Sequence, residues 1–346
     1  MNTKELDVFL KKYTQDELIY KEYYYAKDDK KAYKEFIKNL DRELIIAKNI
    51  LIPEVNDFFT YLPEENLFFN EKTTYNIFVT KHYRYTPTFN HKHAFFEMLY
   101  VYSGSCKQNI GGTDIILNTG DICIVSPEIE HSVSVFDDSI IIDVLIKKST
   151  FNDTFLEVLS DENILSSFFM KILYTKQYNN YIIFKNNNSN VTDTMLNILI
   201  ESIENKKYCN KVLDNLLMIL FAYLLRDEKN TVELPNELHK STKHMSSILT
   251  YMQSNYKTVT LEELSNNFHF TVPYLSKLIK TNTGHNFKQI IQTIKLNKAI
   301  ELLTYSTLKI HDISDILGYE NSTHFIRTFK KVYNLSPTEY KKSIRK

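Results

Sequence analysis

One short pattern occurs twice in the C-terminal third of the chain, from Leu261 to Lys280 and again from Ile310 to Lys330, and it constrains the fold more than any other feature. Each copy reads as a short amphipathic segment, a sharp turn and a second amphipathic segment with cations on its polar positions. Leu264, Phe268, Leu275 and Ile279 share one apolar face in the first copy, and Ile313, Leu317, Phe325 and Phe329 share one in the second. The turn needs a residue at ease in the left-handed region. Gly318 meets that need without strain, and His269 stands at the same place in the first copy, tolerated at a higher cost. After the turn, Thr271 is placed to cap the next helix, with Pro273 in its first turn, and Asn321 or Ser322 does so in the second copy. The spacing predicts two helix-turn-helix units, whose second helices have the form that enters a DNA major groove.

The N-terminal turns of such helices face base edges. That nominates Val272, Pro273, Tyr274, Ser276 and Lys277 in the first helix, and Asn321, Ser322, Thr323, His324, Arg327 and Thr328 in the second. Arg327 suits a bidentate contact to guanine. Lys280, Lys330 and Lys331 suit phosphates, which supply affinity without sequence information. A solvated helix face would carry the same charges, so one such helix alone would say little. Charge distribution favours a polyanion partner. The net charge is zero, yet residues 241–346 hold 15 Lys+Arg against 7 Asp+Glu, and residues 1–240 hold 27 against 35.

The remaining composition bounds the rest. An apolar fraction of 43% suffices for packed cores. Cys106, Cys123 and Cys209 show no metal-binding spacing and read as free thiols in a reducing compartment. The N-terminus lacks the pattern of a signal peptide, and the longest apolar stretch, Leu216–Leu225, is too short to span a bilayer. A cytoplasmic protein without a membrane partner is expected.

Along the chain, residues 1–52 show helical spacing through Phe36, Leu40, Leu44 and Ala47, with helices ending before Pro53. Short β-rich runs follow at Tyr75–Lys81, Glu97–Tyr102, Asp114–Leu117, Ile122–Val125 and Ile140–Ile146, separated by turn residues. Residues 150–230 read as helical again, notably at Phe168–Leu173 and Val212–Leu225, around an Asn-rich loop at Asn186–Asn190. Asp227–Lys243, with Pro235, reads as a linker. The expected domains are a helical extension (1–70), a β-barrel (71–149), a helical dimerisation or linker region (150–235) and a DNA-binding domain (241–346).

The segment from Ile248 to Tyr340 resembles the DNA-binding domain of the AraC family of bacterial transcription regulators. Its landmarks include Tyr274-Leu-Ser-Lys-Leu, Thr283-Gly284, Lys295-Leu-Asn-Lys-Ala299, Ile313-Ser-Asp-Ile-Leu-Gly-Tyr319, Phe329-Lys330-Lys331 and Ser336-Pro337-Thr-Glu-Tyr340. The resemblance implies seven helices, with the two recognition helices joined by a long helix near Phe287–Leu303 and placed in successive major grooves. Departures are mild: Lys295 stands where Arg is usual, Asn334 where Gly is usual, and Ser265 and Ser314 where Ala is common.

The β-rich segment resembles a cupin barrel, through His91-Lys-His93, Glu97, Gly120-Asp121, Pro127 and His131. If His91 and His93 lie on a strand they share a face. Imidazoles with a carboxylate suit a divalent Zn, Fe, Mn or Ni ion. Alternatively, His91, His93, Glu97, Tyr100 and His131 bind a small effector or satisfy one another. The overall expectation is a multidomain α+β protein: a helical extension, a cupin-like antiparallel barrel, a helical middle segment and an all-α domain with two helix-turn-helix units. Its function would be effector-responsive, sequence-specific binding of double-stranded DNA, as a homodimer, with RNA polymerase as a further partner if it activates. A metal-dependent cupin enzyme fused to a DNA-binding domain is the rival.

Overall fold

A computed structural model describes residues 1–48, 50–53, 55, 76–147, 165, 168–169, 172, 181–185, 188–226, 232–233 and 245–343. The chain divides into two compact units, residues 1–148 with 179–237, and residues 149–178 with 238–346.

In the first unit, four short helices come first: α1 (Thr3–Lys11), α2 (Gln15–Ala26), α3 (Lys30–Asn39) and α4 (Arg42–Ala47). Each start has a side-chain cap, from Asn2, Thr14, Asp29 and Asp41, which supplies the oxygen that the first free N–H groups need. Among the described residues nine strands follow: β1 (Ile77–Lys81), β2 (Phe96–Ser103), β3 (Ser105–Ile110), β4 (Thr113–Asn118), β5 (Ile122–Val125), β6 (His131–Ser134), β7 (Ile140–Ile146), β8 (Tyr181–Phe184) and β9 (Val232–Glu233). They form an antiparallel sheet in the order β1-β7-β2-β5-β8-β9 and a second in the order β4-β3-β6. Leu99, Val101, Cys106, Ile110, Cys123, Val125, Val133 and Ile141 interdigitate in one core between them. Two longer helices, α5 (Ser189–Glu204) and α6 (Cys209–Arg226), pack against each other and on β1.

The helical extension is tied to the sheets by a buried ionic group. Glu17 of α2, with a fully buried side chain, accepts from Arg84 Nε at 2.9 Å and pairs with Lys81 Nζ at 2.7 Å. The Arg84 guanidinium also lies 3.6 Å from the Tyr13 ring centre. A carboxylate so deeply buried is tolerable only because both cations share it.

The helical reading of residues 150–230 needs correction at Tyr181–Phe184, which extends the large sheet by pairing with β5, and beyond it Val232–Glu233 pairs with β8. Tyr-Ile-Ile-Phe is buried at every position. A continuous apolar run of four has no period, and period is what separates strand from helix in a sequence. Of Phe168–Leu173, the residues Phe168, Phe169 and Ile172 are helical and buried; the others lie outside the described residues. So does the expected linker apart from Val232 and Glu233, together with Asn186–Asn187 and Thr74–Tyr75.

Residues 245–343 of the second unit form seven helices: α7 (Met245–Ser254), α8 (Leu261–Asn267), α9 (Val272–Thr283), α10 (Phe287–Tyr305), α11 (Ile310–Ile316), α12 (Ser322–Tyr333) and α13 (Pro337–Ser343). Leu264, Leu275 and Ile279 are fully buried around the first turn, whereas Phe268 is only half-buried. Leu296, Ala299 and Leu303 of α10 pack with Ile313, Leu317, Phe325 and Phe329 around the second. Asn334, in the place where glycine is usual, takes φ 59° at the end of α12, a region that Asn tolerates.

Candidate functional site

The two turns are closed by different means. His269 adopts φ 55° and Gly318 φ 68°, so both copies use the left-handed region at the same place. In the first copy the Ser265 hydroxyl donates to the Phe270 carbonyl and the Phe270 N–H donates back to the Ser265 carbonyl at 3.0 Å. Serine in place of alanine therefore latches the turn. In the second copy Lys295 Nζ, on α10, donates to the Gly318 carbonyl at 2.7 Å. A Cβ at Gly318 would lie 3.3 Å from Lys257, in the loop before α8. Gly318 is thus the point where the long helix, the second turn and the loop leading into α8 meet.

Thr271 Oγ1 accepts from Tyr274 N at 3.4 Å, and Asn321 Oδ1 accepts from His324 N at 2.8 Å. Asn321, rather than Ser322, is the second cap, which commits its side-chain oxygen to the backbone. Pro273, Tyr274, Lys277 and Lys280 are exposed on α9, with Val272 and Ser276 half-buried beside them. On α12, Thr323, His324, Arg327, Lys330 and Lys331 are exposed, Asn321 is exposed just before it, and Ser322 and Thr328 are half-buried. Tyr274, 51% exposed, is a large aromatic left on the surface. Lys280, Lys330 and Lys331 occupy last turns, where a cation also complements the helix dipole.

Inside the β unit, one potential ligand atom from each of His91, His93, Glu97 and His131 lies within 4.8 Å of the others. The His91-Lys-His93 segment is not a strand. His91 forms a single bridge to His131, and His93 lies in the loop before β2. Backbone carbonyls fix the rings: His93 Nδ1 donates to Phe95 O and His131 Nδ1 to Ile129 O, both at 2.8 Å. A carbonyl only accepts, so each Nδ1 carries the hydrogen and each Nε2 faces inward. Both Nε2 atoms meet the same oxygen, Glu97 Oε2, at 3.1 Å and 2.7 Å. Burial works against charge on Glu97, but the two imidazoles outweigh it and hold the carboxyl well below its ordinary range. Burial also lowers His131, yet Glu97 raises it on balance, while burial and then His131 push His91 down to about 4. Three imidazoles and a carboxylate, with their outer nitrogens oriented by carbonyls, are a donor set that suits a borderline divalent cation.

Tyr100 does not join this group. Side chains alternate along β2, so Tyr100 faces away from Glu97, and its hydroxyl bonds to Thr192 of α5. Two polar groups on the inner face escaped the sequence reading. Asp143 sits alone in Ile140-Ile-Ile-Asp-Val-Leu-Ile146, and a single carboxylate in an otherwise apolar strand was the available signal. Gln108 shares the inward positions of β3 with Cys106 and Ile110, and nothing in that mixed strand singles it out.

Comparison with known proteins gives two family matches. A helix-turn-helix domain matches residues 264–343 and an AraC-like ligand binding domain matches residues 77–139. The raffinose operon transcriptional regulatory protein RafR of Pediococcus pentosaceus is 29% identical over 143 residues, 41% of this chain and 51% of that protein. The match thus spans about half the length of that relative. The HTH-type transcriptional activator RhaS of Mannheimia succiniciproducens is 24% identical over 258 residues, 72% of this chain and 87% of its own. Among solved structures, ToxT from Vibrio cholerae with a bound unsaturated fatty acid has a TM-score of 0.33 and 17% identity, over 77% of this chain and 94% of that one.

Proposed function

We propose that this chain, which belongs to the AraC family of transcription regulators, binds DNA sequence-specifically and adjusts that binding to a signal received in its β unit. The observation that carries the reading is the pair of capped, cation-bearing helices α9 and α12, each presenting an exposed face after a left-handed turn. Tyr274, Lys277, Thr323, His324 and Arg327 face base edges in this reading, with Val272, Pro273, Ser276, Ser322 and Thr328 beside them; Asn321 acts chiefly as a cap. Lys280, Lys330 and Lys331 hold phosphates. Full-length protein incubated with fragmented genomic DNA tests it. Recovered fragments should share a motif, with protection over two successive major grooves. Recovery no different from bulk DNA would sink the reading.

The β unit supplies the signal. His91, His93, Glu97 and His131 would hold a divalent ion there, which would supply a fixed positive charge and open coordination for an oxygen-bearing effector. What supports this is the meeting of two inward Nε2 atoms on one carboxylate oxygen, a contact that needs protons or a cation between its members. Near-stoichiometric Zn, Fe, Mn or Ni in purified protein, lost on His131→Ala, is expected. The same metal together with turnover of a small substrate would favour the rival reading, a cupin enzyme joined to a DNA-binding domain.

A second copy is the partner suited to α6. Val212, Ile219 and Ala222 lie on its exposed side with half-buried Leu216 and Tyr223, an apolar stripe at helical spacing. Ile219→Asp should lower the mass measured in solution from dimer to monomer, and an unchanged mass would remove α6 as the interface. The N-terminal helices are the other candidate.

A further inference from the structure

Directly beneath the histidine cluster, the inner face of the β unit holds hydrogen-bonding groups that no described residue satisfies. Strand register fixes the layers. Glu97 stands opposite Leu145 and Val125, and His131 opposite Ile110, in the layer of the cluster. One inward position further, Leu99 stands opposite Asp143 and Cys123, while Gln108 stands opposite Ile115 and Val133. Asp143 and Gln108 therefore belong to the same second layer, one from each sheet.

Gln108 is fully buried, and neither Oε1 nor Nε2 has a hydrogen-bond partner among the described residues. Asp143 is 7% exposed; its Oδ2 meets His82 Nδ1 at 3.0 Å, but its buried Oδ1 has no partner among the described residues. A buried polar atom left unpaired is costly in a folded protein, so three in one layer call for a partner. Both carboxylates already have ring partners here: His82 faces Asp143, and His93 and His131 face Glu97. What remains unmet is neutral hydrogen bonding, two acceptors and one donor.

We propose that this second layer is the floor of a binding site for a small uncharged molecule with at least two hydrogen-bond donors and one acceptor, recognised by Gln108 and Asp143. Adjacent hydroxyls meet that demand, and so does a urea-like or primary amide. A hydroxyl or amide N–H donates to Asp143 Oδ1, while the Gln108 amide donates to and accepts from the neighbouring group. His82 holds the Asp143 carboxylate in orientation. The proposal rests on the sensing role of the β unit and deepens it by naming the chemistry sensed.

Calorimetry and thermal melting of the full-length protein test it, with D-xylose and glycerol as the hydroxyl arm, urea and propionamide as the amide arm, and acetate and methylammonium as charged controls. One neutral arm should bind saturably and raise the melting temperature. Gln108→Leu should weaken that binding about tenfold or more, yet melt higher than wild type in buffer alone, because a buried unpaired amide has been replaced by an apolar group of similar size. A merely structural glutamine would give the opposite melting shift. The proposal fails if no neutral probe binds, if a charged control binds better, if Gln108→Leu binds as well as wild type, or if that variant melts lower because ordered water had satisfied the amide. Specific DNA binding is measured on the same preparations. Its loss in the wild type would sink the regulator reading, whereas its retention without probe binding would sink this proposal alone.

Discussion

At the scale of single residues, function turns on which side chains are already committed. Arg327 is exposed on α12, and its planar fork matches guanine N7 and O6. Arg327→Ala should cost about 1–3 kcal/mol on the selected site and relax base preference at one position, whereas Lys331→Ala should weaken all sequences alike and reduce the salt slope by about one. Titration against matched and mismatched duplexes at several salt concentrations separates the two. Glu17 is committed to structure. Burial would raise its carboxyl, but Arg84 first and then Lys81 outweigh burial and hold it below its ordinary value of 4.5. The stability drawn from its ionised form is complete above the unfolded value of about 4.5 and is lost as pH falls through the depressed folded value. Glu17→Gln should cost about 3–5 kcal/mol at neutral pH and flatten the acid limb of a urea-midpoint profile, because both cations lose their shared partner. The histidine cluster was legible because His91, His93, Glu97 and His131 have a recognisable order. Asp143 left only the mark of a lone carboxylate in an apolar strand and Gln108 left none, because what they share lies in strand register, which no spacing encodes.

At the scale of elements, caps and turns carried most of the legible information. Thr271 and Asn321 cap where a start was expected, and His269 and Gly318 take positive φ where a sharp end was required. Strand β8 was hidden because Tyr181–Phe184 is short, wholly buried and far in sequence from its partner β5. The condition that His91 and His93 lie on one strand is not met, since only a single bridge, from His91 to His131, forms there. Lys295 does between elements what a cap does within one: it joins α10 to the second turn through the Gly318 carbonyl. Lys295→Met should keep the helices, as judged by circular dichroism, while weakening protection over the α12 half of the site more than over the α9 half. Equal loss over both halves would show that the lysine acts elsewhere. Gly318→Ala adds left-handed strain at φ 68° and brings a Cβ to 3.3 Å from Lys257, so it should lower the melting temperature.

At the scale of the whole molecule, an acidic portion carrying a core between two sheets is joined to a basic portion of seven described helices. The charge split was legible in the sequence and suits the second unit to a polyanion partner. Among the described residues no helix is long and apolar enough to cross a membrane. In the proposed two-groove reading α10 holds α9 and α12 at one separation, so the spacing of the two half-motifs in a selected DNA site is the direct test. Affinity for the site should survive a full-turn insertion far worse than a flexible pair of readers would, and a five-base-pair insertion should reduce it to that of one half-motif, since successive major grooves recur about every 10–10.5 base pairs. Unchanged affinity after the five-base-pair insertion would contradict the two-groove geometry.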